Sequence, residues 1–312
     1  MLKLLKDNRI GNVSKYYISE KEVNPMQIPP EIKKCVCFIY CLTSDENKEL
    51  LGTGFFLKEN LTNTRGVVYC ITAKHILEGV KKYKLNKDNE ILLRVNLTDG
   101  GSTYFSSKID DWTFNTDNDI AVLFFEPDFD LDILFYASES IIDESIISEE
   151  NINIGDEIFI AGVFSKYHEE TSNIIPIMRF GNISAMIEEK VRVKDIGLID
   201  AYLIETHSIG GLSGSPVFIN IESGRYDNKG NFKLTFRNEY KFYLLGIITA
   251  HFDWKTESGE AGIEEKIENI NMGIAVVTPA TKIRETLNYP QLLEIKRKEI
   301  KKIEDDNAAI LD

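Results

Sequence analysis

Gly210-Gly211-Leu212-Ser213-Gly214-Ser215-Pro216-Val217-Phe218 is the stretch on which the reading of this chain turns. A serine stands framed by glycines, closed by a proline and followed directly by an apolar run. Glycine adopts backbone conformations that other residues reach only under strain, so the segment reads as a sharp loop that presents one hydroxyl and then enters a strand. Taken alone, it is no more than a tight loop. Two further segments change its meaning. Tyr69-Cys70-Ile71-Thr72-Ala73-Lys74-His75-Ile76-Leu77 is a β-rich run leading into a histidine, and Thr116-Asp117-Asn118-Asp119-Ile120-Ala121-Val122-Leu123 sets an acid immediately before an apolar strand. Each has a plain structural reading, a packed strand-end histidine in one case and a turn-capping aspartate in the other.

Together the three segments complete one another. A serine hydroxyl is a weak nucleophile near neutral pH and needs an adjacent base to take its proton. Imidazole suits that task, and a buried carboxylate fixes its tautomer and stabilises the imidazolium that forms. His75, Asp119 and Ser213 are therefore a candidate catalytic triad. The N–H groups of Gly211 and Ser213 are a candidate oxyanion hole, a device whose single donors contribute roughly 2.7–4 kcal/mol in other enzymes. The chain order His, Asp, Ser differs from that of subtilisins and α/β-hydrolases.

On these residues the chain resembles the trypsin/chymotrypsin superfamily, and most nearly its bacterial, disulfide-free trypsin-like peptidase domains. Thr72-Ala73-Lys74-His75 is similar to the family's Thr-Ala-Ala-His, and Asp119-Ile120-Ala121-Val122-Leu123 to its Asp-Ile-Ala-Leu-Leu. Gly211-Leu212-Ser213-Gly214-Ser215-Pro216 is similar to Gly-Asp-Ser-Gly-Gly-Pro. Leu245-Gly246-Ile247-Ile248-Thr249-Ala250-His251 resembles the strand that borders the substrate cleft. The likeness runs over about residues 33–285. It implies two packed six-stranded antiparallel β-barrels, a serine peptidase activity and protein or peptide substrates. It also implies that the Thr249 hydroxyl supports the catalytic aspartate.

The departures matter as much. Leu212 stands where secreted relatives carry the aspartate that pairs with a newly cleaved N-terminus, so that activation route is closed. The site is either preformed or switched on by a partner. His207 stands where trypsin carries its pocket carboxylate. The resemblance then puts His207 and Ser208 on one side of the primary pocket and Thr249 to His251 on the other, which argues against preference for Arg or Lys. A catalytically inactive scaffold or binding protein of the same fold is the alternative reading.

Outward from the motifs, the 312 residues fall into an extension (1–30), a first barrel (31–127), an acidic linker (128–150), a second barrel (151–285) and a C-terminal helix with an acidic tail (286–312). Short apolar runs between turn residues predict the strands. They are Cys35–Leu42, Gly52–Leu57, Val67–Thr72, Ile91–Leu97 and Ile120–Phe125 in the first series. The second holds Glu157–Phe164, Met178–Ile187, Ala201–Glu205, Pro216–Ile219, Phe242–Ala250 and Met272–Val277. The stretch 126–150 reads as partly helical, and helical spacing starts near Thr281 and continues over Leu292–Ile303.

Composition narrows the class. Hydrophobic residues at 43% and charged residues at 28% describe a globular chain, and no apolar run approaches a membrane span. A net charge of −14 argues against binding to nucleic acid. Cys35, Cys37, Cys41 and Cys70 fit no zinc spacing and read as buried thiols, with neither metal nor cofactor called for. Reduced thiols and the lack of a secretory signal point to the cytoplasm, and the resemblance implies a bacterial one. His168 reads as an exposed loop residue.

Overall fold

The computed structural model describes residues 28–311 apart from 64, 83–84, 87, 128–129, 165–171, 195, 207–210, 222–223, 227–229, 235–240 and 259–265. Most of the extension, and His168, His207 and Ser208, lie outside the described residues. The first half of the chain contributes β1 (Val36–Leu42), β2 (Lys48–Asn60), β3 (Gly66–Thr72), α1 (Lys74–Glu78), β4 (Glu90–Asn96), β5 (Ser102–Lys108), β6 (Trp112–Phe114) and β7 (Ala121–Phe125). The expected linker adds β8 (Tyr136–Ala137) and α2 (Glu144–Glu150). The second half contributes β9 (Glu157–Gly162), β10 (Ile177–Ala185), β11 (Val191–Val193), β12 (Gly197–Ile199), β13 (Tyr202–Thr206), β14 (Pro216–Asn220), β15 (Gly224–Tyr226), β16 (Phe232–Leu234), β17 (Phe242–Ser258) and β18 (Lys266–Pro279). Two helices follow, α3 (Ala280–Leu287) and α4 (Pro290–Leu311). None of the helices described is long and apolar enough to cross a membrane.

The protein is mostly β, in the double-barrel arrangement expected. The second unit is a closed barrel in the order β10-β13-β18-β17-β14-β9. The first is an eight-stranded sheet in the order β5-β4-β1-β2-β3-β7-β6, with β8 added parallel to β2. No ladder joins its outer strands β5 and β6 among the described residues, so it differs from a closed six-stranded barrel. It nevertheless curls on itself. Phe105 of β5 meets Phe125 of β7 with ring centroids 4.8 Å apart, and Trp112 Nε1 of β6 donates to Ser107 Oγ of β5 at 3.1 Å.

Alternation along the strands explains how the two units share a core. In β14, Val217 and Ile219 fill the second barrel, while Phe218 between them points out and joins the first unit's core. Phe159 of β9 does the same between Ile158 and Ile160. Phe218 packs 5.0 Å from both Phe159 and Tyr136, so β8 seals the junction. β1 is buried on both faces, with Cys37 and Ile39 inside the first unit and Phe38 and Tyr40 packed towards Ala161 and Val163. That two-sided burial is why its residues read as one continuous apolar run.

The C-terminal helices lie against the first unit. Ile283, Leu287 and Leu292 enter its core, Lys296 pairs with Glu59 at 2.7 Å and Arg65 with Asp306 at 2.6 Å. Asp143 caps α2 by accepting from the Ile146 N–H at 3.0 Å, and its other oxygen meets Arg284 of α3 at 3.3 Å. The hydrogen bond from Ser145, then that from Ile146, and lastly Arg284 hold the Asp143 carboxyl below its ordinary value. A lowered folded-state value stabilises the fold above the ordinary carboxylate range, and that contribution is lost as pH falls through the folded value. Asp143→Ala is therefore expected to cost about 1 kcal/mol in urea unfolding at neutral pH, with Asp143→Asn retaining most of it. The deficit of the alanine variant should shrink on acidification; one that stays constant to about pH 3 contradicts the carboxylate's role.

Candidate active site

His75 is the second residue of α1, which opens directly after β3 with Ala73 still extended. The strand therefore delivers the imidazole to the edge of the first unit, where its side chain is 32% exposed. Asp119 arrives from the loop before β7 and its side chain is 2% exposed. Both carboxylate oxygens are spent on one residue. Oδ1 accepts from the His75 backbone N–H at 2.8 Å and Oδ2 from His75 Nδ1 at 2.7 Å. A carboxylate only accepts, so Nδ1 carries the proton and the lone pair of Nε2 is left to take another.

Residues behind His75 offer no rival chemistry. Burial pushes the Tyr69 phenol up, and the nearby Glu59 charge adds to the shift. Burial likewise pushes the Cys70 thiol well up, reinforced by Cys37, whose Sγ lies 3.6 Å away. All four cysteines are buried free thiols. Thiolate is the reactive form, so Cys70 is an inert core residue at neutral pH.

Ser213 comes from the loop before β14, and that loop is bound into the first unit. Thr53 of β2, fully buried, is the junction. Its N–H donates to Ser213 O at 3.0 Å and its Oγ1 donates to Gly211 O at 3.0 Å. The same Oγ1 accepts from Val163 N–H at 3.0 Å, and Thr53 O accepts from Thr72 Oγ1 at 2.7 Å. Thr72 ends β3, three residues before His75, so a continuous hydrogen-bonded path links the Ser213 loop to the start of α1. Gly211 and Gly214 both have positive φ, +101° and +80°. Gly214 N–H is used by Ile248 O and Ser215 N–H by Leu212 O, whereas the N–H groups of Gly211 and Ser213 find no backbone acceptor among the described residues. Donors of this kind flanking one hydroxyl are what an oxyanion site requires.

The structure thus gathers His75, Asp119, Ser213 and Gly211 at one seam. The imidazole bonds to Asp119 and makes no hydrogen bond to Ser213. The expected support from Thr249 is not made. Its Oγ1 pairs with Thr278 Oγ1 at 2.6 Å, both being buried. The reason is local: a register shift between Ile248 and Ala250 makes Thr249 the extra residue of a bulge, which re-aims its side chain. His251 lies on β17 opposite Ala275 and is partly buried. The sequence reading gave no linking role to Thr53 or to Thr72, the latter quoted only as part of the histidine motif; Gly52 and Gly54 beside Thr53 mark the close approach, since a Cβ at Gly52 would sit 2.9 Å from Ser213 O.

No family model and no curated protein sequence matches the chain. Among solved structures it is similar to Deg5, at 14% identity over 82% of this chain and 88% of that one, with a TM-score of 0.44. It is also similar to the inactive serine-to-alanine mutant of Rv3671c from M. tuberculosis H37Rv, at 12% identity over 82% and 87%, with a TM-score of 0.41. A third is HBP, at 10% identity over 85% and 96%, with a TM-score of 0.44. These superpositions are loose, and the fold and the site stand on this chain's own ladders and hydrogen bonds.

Proposed function

We propose that the protein is a serine endopeptidase acting from a cleft between a first unit spanning residues 31–127 and a second spanning 151–285, joined by 128–150. The observation that carries this reading is the double hydrogen bond from His75 to the buried Asp119, with the Ser213 loop tied to the same strands through Thr53. In the first step Ser213 Oγ attacks the peptide carbonyl carbon while His75 Nε2 takes the hydroxyl proton. The carbonyl oxygen gains charge against the N–H groups of Gly211 and Ser213. The C–N bond then breaks as His75 returns the proton to the leaving amine, and water hydrolyses the acyl-enzyme by the reverse roles.

Catalytic hydrogen bonds are often long before substrate or partner binds, so the unmade bond from Ser213 to His75 fits a site that tightens on binding. The same observation is what favours the second reading, an inactive scaffold. His207, Ser208 and His251 would form a pocket of donors without a carboxylate, suited to acidic, amide or small polar side chains rather than Arg or Lys. A specific protein is the proposed substrate, and a partner the proposed activator. Buried free thiols suit a reducing cytoplasm, and the resemblance to bacterial peptidase domains makes it a bacterial one.

A fluorophosphonate probe tests the reading. Wild type should label stoichiometrically and Ser213→Ala not at all, and a digested peptide library should show cuts after Glu, Asp, Gln or small polar residues. Labelling that persists in Ser213→Ala removes the nucleophile, no labelling with or without candidate partners supports the scaffold, and dominant cuts after Arg or Lys misplace the pocket.

A further inference from the structure

The loop that delivers Asp119 is held from outside the two sheets. Asn115 is 1% exposed, and its side chain faces two ways. Its Oδ1 accepts from the N–H groups of Asp117 at 2.9 Å and Asn118 at 2.8 Å, closing the turn that ends on Asp119. Its Nδ2 donates to Thr286 Oγ1 of α3 at 2.8 Å. Thr286 is fully buried, and its own hydroxyl proton goes to Lys282 O at 2.7 Å, so towards Asn115 it acts as an acceptor. Were the Asn115 amide to flip, an NH2 group would face two N–H donors and an oxygen would face Thr286. The two backbone N–H groups set which way the amide lies, and the Thr286 oxygen accepts the NH2 group on the far side and ties the turn to α3.

A second tether runs beside the first. Tyr289 OH, just beyond α3, accepts from the Thr116 N–H at 3.2 Å and lies 3.2 Å from Thr116 Oγ1. From the other side, Lys74 Nζ donates to Asn115 O at 3.2 Å, and Lys74 immediately precedes His75. Meanwhile Ile283 and Leu287 anchor α3 in the first unit's core. The helix is thus a rigid bracket, and the turn hung on it ends at the carboxylate that orients the imidazole.

We propose that Thr286, assisted by Tyr289, is a positioning residue for the His75–Asp119 pair, acting through Asn115. The proposal rests on the serine-peptidase reading for its kinetic consequence, but not for its geometry. Thr286→Val keeps the side-chain shape and removes the acceptor, which leaves the buried Asn115 NH2 group without its partner on α3 and loosens the placement of the turn that ends at Asp119. A misplacement of about 1 Å remote from the reacting atoms can lower turnover roughly 100-fold.

The test uses the full chain as wild type, Thr286→Val, Thr286→Ser and Tyr289→Phe. Three quantities are measured: the downfield proton resonance of the His75 Nδ1–H, kcat and KM on one peptide, and Tm. Thr286→Val should lose or broaden the resonance and lower kcat at least about 10-fold with KM little changed. Thr286→Ser, which restores the hydroxyl, should recover both. Tyr289→Phe should weaken the resonance in the same direction, and it decides the matter should the valine variant not fold. A sharp, unshifted resonance in Thr286→Val, or in Tyr289→Phe where only that variant folds, overturns the proposal. So does a valine variant whose only change is a lower Tm. If wild type cleaves nothing with or without candidate partners, the peptidase reading fails while the resonance still judges the positioning role.

Discussion

Asp119→Asn should lower kcat by about 10⁴-fold, the loss a wrong imidazole tautomer produces, with KM and Tm nearly unchanged. The geometry leaves the asparagine no harmless orientation. With its NH2 group at the Oδ2 position it faces Nδ1, now 2.7 Å away, and the imidazole must turn that nitrogen into an acceptor. The proton then sits on Nε2, which can no longer take the serine's. With the NH2 group at the Oδ1 position it confronts the His75 backbone N–H at 2.8 Å, donor against donor, beside a buried side chain. His75→Ala removes the base outright and should fall as far or further. Single-turnover rates on one peptide, with circular dichroism melts alongside, measure the effect. An asparagine variant within about tenfold of wild type would remove Asp119 from the mechanism.

Much of this was legible in the sequence for definite physical reasons. Catalysis by an activated serine needs a nucleophile, a base and an acid of fixed types, and strands buried on one or both faces leave apolar runs. Hence β1 to β4, β7, β9, β10, β13, β14, β17 and β18 each fall on an expected run, often with longer ends. β5 hides because Ser102-Thr103-Tyr104-Phe105-Ser106-Ser107-Lys108 reads as polar. Its inward Phe105 is flanked by hydroxyls, and Ser107 is buried only because it pairs with Trp112 and Ile91 O. β8 hides for another reason. Two residues carry no periodicity, and Tyr136 is held by Phe218 and Phe242 from the far end of the chain. In the stretch read as partly helical, α2 is the one α-helix among the described residues, and Asp143 supplies its cap.

The contacts that hold the site together were out of reach for the same reason. Thr53 meets Gly211 across 158 positions, and Asn115 meets Thr286 across 171. Propensity and periodicity describe neighbours along the chain, and threonine in a strand is ordinary. Thr249 is the instructive failure. Its place in the motif predicted a bond to Asp119, but a one-residue bulge is invisible to motif matching and sends the hydroxyl to Thr278 instead. The residue type was right, and the backbone redirected it.

The seam itself yields the second large effect, which tests packing rather than chemistry. Gly214 follows the candidate nucleophile with φ +80°, and a Cβ there would meet Thr53 O at 2.2 Å, Thr72 Oγ1 at 2.4 Å and Ile76 Cδ1 at 2.9 Å. Two of these belong to the path from the Ser213 loop to α1, and Thr53 O is backbone with no room to withdraw. Gly100 makes the control. Its φ is +98°, yet nothing lies within 4 Å of the Cβ position. Gly100→Ala therefore carries only the backbone strain of a positive φ, about 1–3 kcal/mol. Gly214→Ala carries that strain plus overpacking, and must break the Thr72-to-Thr53 bond or push the Ser213 loop out of the seam. It should cost at least about 2 kcal/mol more than Gly100→Ala in urea unfolding. It should also abolish fluorophosphonate labelling in whatever protein remains folded, because the loop can no longer hold Ser213 against β2. Equal stability losses in the two variants, with labelling retained in Gly214→Ala, would show that the seam has room to give and that Thr53 is no clamp.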